Sequence, residues 1–206
     1  TVPTDVDSFF RAIASSFDNI AEEKHIQFEI HVEPGLPTVW IDQEKLDKVV
    51  FNVLSNAFKY TPEGGKITIE IGKDGGDLKI RIADSGEGIP AEQRELIFNR
   101  FYQIPTKNNR NKMGTGIGLH LSRSLMEIHH GRIYVEDPSA GGAVFVVTLP
   151  LGNDYLKKEE MQTEASEDSL ATLVQPALQD FVEEVREEPL QGAASMFRYK
   201  LLVVED

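Results

Sequence analysis

The chain has 206 residues, a formal net charge of -13 and no cysteine. This length accommodates one domain of ordinary size together with further segments. The acidic balance argues against general nucleic-acid binding, which needs a basic surface, and the lack of cysteine excludes disulfides and thiolate chemistry. No apolar run approaches the length of a membrane-spanning helix, so these residues are not expected to supply a membrane anchor.

Two helices and a strand between them are predicted in the first part of the chain. Apolar residues at helical spacing predict a helix over residues 3–21. Alternating apolar residues then predict a half-buried strand over residues 25–32. The second helix is predicted over residues 42–60, where a long apolar stripe recurs at helical spacing.

The second of these helices also carries a row of polar side chains. Asn52, Asn56 and Lys59 cluster away from the apolar stripe, and Tyr60 falls between the two sides. Two asparagines in mid-helix need an explanation, because asparagine is a poor helix former. An amide oxygen can coordinate Mg²⁺ and a lysine can contact phosphate. The row therefore predicts one wall of a binding site, and an ordinary exposed polar face is the alternative.

Two strands over residues 66–71 and 78–83 are predicted to form a hairpin, because a Gly-Gly pair lies between them. The second strand runs into Asp84, which is followed closely by Gly86 and Gly88. A buried carboxylate at this strand end can accept a hydrogen bond from an exocyclic amine. A carboxylate that begins a loop as an Asx turn is an equally good interpretation.

A short helix is predicted over residues 91–99, and a cationic loop follows it. Residues 103–113 contain Lys107, Arg110 and Lys112 and no acid, in an otherwise acidic chain. Such a loop suits a polyphosphate ligand when it lies beside a phosphate-binding element, and a solvated surface loop is the alternative.

A glycine-rich loop then leads directly into another predicted helix. Gly114, Gly116 and Gly118 alternate, and an apolar helical pattern begins at Ile117 and stops at Gly131. Free N–H groups at a helix N-terminus favour an anion such as phosphate. A flexible turn before an ordinary helix is the alternative.

Three segments are predicted from these patterns. Strands over residues 132–135 and 143–149 complete a domain over residues 1–152. Residues 153–198 are rich in glutamate and predict an acidic linker with one helix. Residues 199–206 are an apolar run that ends in two acids, and they predict the first strand of a further domain.

Four of these segments resemble, in type and order, the motifs of the ATP-binding catalytic domain of sensor histidine kinases. Residues 52–62 (NVLSNAFKYTP) resemble the N box, residues 84–89 (DSGEGI) the G1 box, residues 98–102 (FNRFY) the F box and residues 114–119 (GTGIGL) the G2 box. Residues 103–113 would then be the ATP lid. The resemblance implies an α/β (α+β) two-layer sandwich, in which helices cover one face of a mixed, mostly antiparallel sheet, as in gyrase and the Hsp90 chaperone.

The resemblance assigns roles to individual positions. Asn56 would ligate Mg²⁺ with Asn52 beside it, and Asp84 would bind the adenine amine of ATP. Asn56 and Arg100 are the expected catalytic residues, since Arg100 would steady the γ-phosphate together with the lid bases. The other expected nucleotide contacts are Lys59, Tyr60, Gly86, Gly88, Ile89, Phe101, Gly114, Thr115, Gly116, Ile117, Gly118, Leu119 and Thr148.

The resemblance further implies that the γ-phosphoryl group of ATP is transferred to a histidine on a separate dimerisation hairpin. None of the five histidines lies in the acceptor pattern of the family, so the hairpin is expected to precede Thr1. Residues 199–206 resemble the opening of a receiver domain. We therefore expect a hybrid sensor kinase, of which this chain is a cytoplasmic part, anchored in the inner membrane of a bacterium.

Two other functions remain open at the level of the sequence. One is a module that binds nucleotide for sensing or docking and transfers no phosphoryl group. The other is a gyrase- or chaperone-type ATPase, which uses a glutamate on the N-box helix as a base. Phe51 precedes Asn52 in this chain, which disfavours the second of these functions.

Overall fold

The computed structural model describes residues 1–104, 115–138 and 141–161 and consists of a layer of helices on a layer of strands. The strands are β1 (Val2–Thr4), β2 (Gln27–Val32), β3 (Val39–Ile41), β4 (Lys66–Asp74), β5 (Asp77–Asp84), β6 (Arg132–Glu136) and β7 (Val144–Pro150). The helices are α1 (Val6–Ser15), α2 (Asp18–Glu23), α3 (Gln43–Tyr60) and α4 (Gly118–Ile128). The predicted linker helix and the strand over residues 199–206 lie outside the described residues.

Five strands form the main sheet, in the order β2-β4-β5-β7-β6. β2 runs parallel to β4, and the other neighbouring pairs are antiparallel. β1 and β3 form a separate antiparallel pair. The predicted hairpin is present as β4 and β5, which are joined at Gly75 (φ 62°) and Gly76. The predicted fold, a two-layer sandwich with a mixed and mostly antiparallel sheet, is confirmed.

The apolar core lies between the helices and one face of this sheet. Ile67, Ile69 and Ile71 alternate along β4, and all three are buried in a cluster that includes residues of α1 and α3. Alternate strand residues point to opposite faces, so the other face is free to carry charge. There Arg81 Nε donates to Glu136 Oε2 at 3.0 Å. The helices therefore cover the face that supplies the core.

Two of the predicted helices differ from the observed elements. Pro3 lies in β1, and α1 begins only after Asp5, whose Oδ1 accepts a hydrogen bond from Ser8 N at 2.8 Å. α1 ends at Ser15 and α2 begins at Asp18, so the predicted helix is interrupted. Phe17 lies in this interruption and is fully buried, which is why the apolar pattern in the sequence continues through it. The helix predicted over residues 91–99 is present only as two 3-10 turns, Ala91–Gln93 and Leu96–Phe98.

The C-terminus of α4 also differs from the prediction that Gly131 ends the helix. The left-handed residue is His130 (φ 56°), whose N–H bonds to Glu127 O at 3.1 Å. Gly131 follows it and donates to Met126 O at 2.9 Å, which completes a Schellman motif. A Cβ on Gly131 would lie 2.3 Å from Thr148 O, so glycine is needed here for close packing against β7.

Candidate nucleotide-binding site

A cavity of about 670 Å³ opens between α3, the loop after β5 and the segment that leads into α4. This volume lies in the usual range of small-molecule sites. Most of the predicted site residues line it, namely Asn52, Asn56, Lys59, Tyr60, Asp84, Gly88, Ile89, Thr115, Gly116, Gly118 and Leu119. The fold therefore brings together in one cavity segments that are far apart in the sequence.

α3 supplies the polar wall of the cavity. Asp42 caps this helix, and its Oδ1 accepts a hydrogen bond from Lys45 N at 3.2 Å. The apolar stripe of α3 is buried in the core and fixes the rotation of the helix about its axis. Asn52, Asn56 and Lys59 lie beside that stripe and line the cavity. Helical spacing in the sequence thus determines which side chains a ligand meets.

Asp84 supplies a carboxylate at the opposite wall, where β5 ends. Its Oδ1 accepts hydrogen bonds from Gly86 N at 2.8 Å and Ala143 N at 3.3 Å. Burial raises the pKa of Asp84 above its ordinary value, and these two N–H groups act in the opposite direction. Oδ2 has no hydrogen-bond partner among the described residues, so one oxygen of a firmly held carboxylate is available to a ligand.

The glycines after Asp84 permit close contact between backbone segments. A Cβ on Gly86 would lie 2.6 Å from Tyr60 O, and Gly86 itself does not line the cavity. Gly88 has φ 78°, and a Cβ there would lie 2.7 Å from Gly142 O. The resemblance placed Gly88 among the expected nucleotide contacts. The packing against Gly142 is a structural reason for glycine at the same position.

The third wall is the N-terminus of α4. Ile117 occupies the N-cap position and provides no side-chain hydrogen bond to the first turn. Gly116 (φ 66°) precedes it and accepts a hydrogen bond from Phe101 N at 2.8 Å. Gly116 and Gly118 both line the cavity. The N–H groups of a first turn without a capping side chain favour an anion at this end of the cavity.

Several predicted residues are not part of the cavity lining. Arg100 and Phe101 are exposed, and the Arg100 guanidinium carbon lies 4.8 Å from the centre of the Phe101 ring. Ile117 is also outside the lining, although its neighbours on both sides are in it. Gly114 and the basic residues of the predicted lid lie outside the described residues, so the structure gives no position for them.

The prediction for Thr148 is corrected by the structure. Thr148 lies in β7 between Val147 and Leu149, both of which are buried in the core. Because strand residues alternate, the Thr148 side chain points to the opposite face of the sheet, in register with Lys79 and Arg132. It does not line the cavity.

The structure adds cavity residues that the sequence analysis missed. Ser55 lines the cavity, and its buried Oγ has no hydrogen-bond partner within the described residues. Ser55 is three residues after Asn52 and therefore lies on the same side of α3, so helical spacing could have predicted it as a cavity residue. Ala143 and Phe145 also line the cavity, and only the pairing of β7 with β5 brings them there. No local pattern in the sequence indicates that pairing.

The oxygen atoms that line the cavity suit a metal ion that is bound together with a nucleotide. Among the residues that the structure describes, no group of three or more His, Cys, Asp or Glu is placed to hold a metal ion. Mg²⁺ in nucleotide sites uses one or two protein oxygens, and phosphates and water complete its coordination. The amide oxygen of Asn56, half-buried in the same cavity as the α4 N-terminus, fits that arrangement.

The two-layer fold and this cavity define a nucleotide-binding α/β sandwich. Residues 41–153 match the family described as Histidine kinase-, DNA gyrase B-, and HSP90-like ATPase. The match covers more than half of the chain, and the chain belongs to this family.

Two named relatives are histidine kinases. Sensor histidine kinase TmoS of Ectopseudomonas mendocina is 40% identical over 148 residues, which are 71% of this chain and 15% of the relative. Histidine kinase P4 of Formosa agariphila is 36% identical over 191 residues, which are 85% of this chain and 14% of the relative. The chain therefore spans about a seventh of the length of these two proteins.

Solved structures give the same result. The catalytic domain of histidine kinase ThkA is 28% identical with a TM-score of 0.64, over 72% of this chain and 93% of that domain. Full-length ShkA in complex with AMPPNP is 29% identical with a TM-score of 0.64, over 73% of this chain and 31% of ShkA. The chain is thus a catalytic ATPase domain of the sensor histidine kinase type. No helix in the described parts of the chain has the length and apolar character needed to cross a membrane.

Proposed function

We propose that this chain binds Mg·ATP in the cavity and transfers the γ-phosphoryl group to a histidine nitrogen on a dimerisation hairpin of its parent protein. The observation that supports this proposal is that one cavity includes Asn56 of α3, Asp84 of β5 and Gly116 before α4. These three positions offer an amide oxygen for a hydrated metal, a carboxylate for an amine and backbone N–H groups for phosphate.

The adenine base is bound at the Asp84 end of the cavity. Asp84 Oδ2 accepts a hydrogen bond from the exocyclic amine, while Gly86 N and Ala143 N hold Oδ1 and favour the ionised carboxylate. Ile89 and Phe145 line the cavity and contribute apolar surface to the face of the base. A guanine base presents a carbonyl oxygen where adenine presents the amine, so the carboxylate selects adenine.

The phosphates are bound between α3 and the N-terminus of α4. Asn56 ligates the Mg²⁺, Lys59 contacts the phosphates, and the first-turn N–H groups after Gly116 cradle them. The bound metal neutralises charge on the phosphate oxygens. Phosphoryl transfer requires positioning and charge stabilisation more than covalent help from the protein. Arg100 and the lid bases act on the γ-phosphate in this proposal.

The parent protein is proposed to be a hybrid sensor kinase, with the acceptor hairpin before this domain and a receiver domain after it. Hybrid signal transduction histidine kinase D of Dictyostelium discoideum is 37% identical over 145 residues, which supports this arrangement. The domain is proposed to act on the cytoplasmic side of a membrane-anchored sensor of a bacterium, without nucleic acid as a partner.

Phosphotransfer is tested with ATP that is radiolabelled at its γ-phosphate and the separately produced hairpin segment of the parent protein. Acid-labile label on the hairpin, formed by the wild type and absent with Asn56→Ala, supports transfer to histidine. Binding of ATP without any label on the hairpin overturns transfer and leaves a nucleotide-binding module. Steady phosphate release without the hairpin would instead indicate an ATPase of the gyrase type.

A further inference from the structure

α3 and α4 form an antiparallel pair that is joined by hydrogen bonds between side chains and backbone. At one end, His129 Nε2 after α4 accepts a hydrogen bond from Asp42 N before α3, at 3.2 Å. Halfway along, Asn52 Nδ2 donates to Ser122 Oγ at 2.9 Å. The cavity lies at the other end, beyond Asn52. The contact between Asn52 and Ser122 is therefore the one nearer to the cavity.

The Asn52 amide is enclosed on two sides by α4. Ser122 is 1% exposed and accepts from its nitrogen. Gly118 lies one turn earlier in α4, and a Cβ there would be 2.3 Å from Asn52 Oδ1 and 2.7 Å from Nδ2. The amide therefore packs directly against the backbone of α4 at the end that lines the cavity. A side chain at position 118 would therefore displace Asn52, and loss of the Ser122 hydroxyl would remove its hydrogen-bond partner.

An amide side chain has one donor end and one acceptor end, and a half-turn exchanges them. The hydroxyl of Ser122 binds the donor end, which fixes the orientation of the amide. Asn52 Oδ1 then remains as the acceptor end, with no hydrogen-bond partner among the described residues. Asn52 also lines the cavity, and Oδ1 is the end of its amide that is left to accept a hydrogen bond from a ligand.

We propose that Ser122 is a positioning residue of the Mg·ATP site that acts through Asn52. Its hydroxyl orients the Asn52 amide so that Oδ1 accepts a hydrogen bond from a water molecule of the hydrated Mg²⁺ that Asn56 ligates. This inference rests on the proposed function. Without the hydroxyl, the amide loses its fixed orientation, and the water shell of the metal loses a preorganised acceptor.

The test measures ATP affinity by calorimetry, with and without Mg²⁺, for the wild type and Ser122→Ala. The loss of one hydrogen bond predicts an affinity about fivefold weaker in Mg²⁺. The affinity of metal-free ATP should stay unchanged, because the proposed contact is to water on the metal. Ser124→Ala is the matched control on the same helix, since Ser124 Oγ donates to His120 O at 3.2 Å and does not line the cavity.

A double-mutant cycle separates positioning from a general structural effect. In the Asn52→Ala background, Ser122→Ala should have no further effect on Mg·ATP affinity. Full additivity of the two losses, or equal losses with and without Mg²⁺, would overturn the inference. If Ser122→Ala does not fold, Ser122→Cys is the second variant, because it keeps the shape of the side chain with a weaker acceptor. It should weaken the affinity for Mg·ATP and leave the affinity for metal-free ATP unchanged.

The outcome also distinguishes this inference from the proposed function. Failure of the wild type to bind ATP in the presence of Mg²⁺ would overturn the proposed function. If the wild type binds Mg·ATP but Ser122→Ala has the same affinity as Ser124→Ala, the role of Ser122 is overturned and the proposed function stands.

Discussion

Replacing Asp47 with asparagine should stabilise the protein at neutral pH but not at acidic pH. Asp47 is only 5% exposed and lies on the same side of α3 as the buried Leu54 and Phe58. Its Oδ1 has no hydrogen-bond partner within the described residues. Burial raises the pKa of Asp47 from 3.8 to about 6, and the charge of Lys48 opposes only part of this change.

The sign of the effect follows from proton linkage. A carboxyl with a higher pKa in the folded state holds its proton more tightly there, so folding loses stability as pH rises from about 4 to about 6. The difference between 3.8 and about 6 corresponds to about 3 kcal/mol at pH 7 and above. Asparagine at position 47 does not ionise, so the free energy of unfolding of the variant does not fall in this way at neutral pH.

The assay is urea unfolding of the wild type and Asp47→Asn at several pH values between 4 and 8. The variant should gain about 2.5 kcal/mol relative to the wild type between pH 4 and pH 7.5, because a small part of the effect is already present at pH 4. Any constant cost of the unpaired amide cancels in this difference. Glu44→Gln is the control, because Glu44 is exposed on the same helix. A stability difference for Asp47→Asn that does not change with pH would refute the reasoning.

Three further predictions concern backbone strain and one buried histidine, and urea unfolding measures each. Gly142→Ala should lower the free energy of unfolding by at least about 2 kcal/mol more than Gly141→Ala. Both residues have positive φ, but only a Cβ at Gly142 would collide, at 1.7 Å from Asp84 O. Equal losses of stability in the two variants would contradict this. His25→Gly should stabilise by about 0.5–1 kcal/mol, since His25 (φ 53°) is left-handed and exposed; a loss would count against it. His129→Phe should cost about 1–3 kcal/mol, because a backbone N–H before α3 loses its acceptor; an unchanged stability would show that this hydrogen bond contributes nothing.

Local periodicity predicted most of the secondary structure correctly. The alternation of Ile67, Ile69 and Ile71 predicted β4, and the helical stripe of α3 predicted both its length and its buried side. The pattern gave a wrong helix boundary where apolar side chains stay buried in a turn between two helices. Phe17 continues the apolar spacing of α1 although the helix has already ended, since the break itself is packed in the core.

The pairing of distant strands was beyond local patterns. The placement of β7 between β5 and β6 decides that Ala143 and Phe145 reach the cavity and that Thr148 does not. Alternation alone could not assign the faces of β7, because its first four residues are all buried. Thr148 was assigned to the site by resemblance, and the register of β7 with β5 places it on the far face.

Side-chain partners across helices were also not predictable. Nothing in the spacing of α4 marks Ser122 as the acceptor of the Asn52 amide, because the contact depends on how α3 and α4 cross. Gly118 was predicted as a phosphate-binding residue, and the structure adds that a side chain there would collide with Asn52. Motifs thus located the cavity, whereas the contacts that orient its side chains required the assembled fold.

The central claim is that Asn56 and Asp84 act on one Mg·ATP molecule in one cavity. Calorimetric titration of the chain with ATP, in the presence and absence of Mg²⁺, tests this claim most directly when the wild type is compared with Asn56→Ala and Asp84→Asn. We predict Mg²⁺-dependent binding by the wild type and a loss of affinity of about tenfold or more in each variant, since each loses a charge-assisted contact or a metal ligand. Wild-type affinity in both variants would contradict the account.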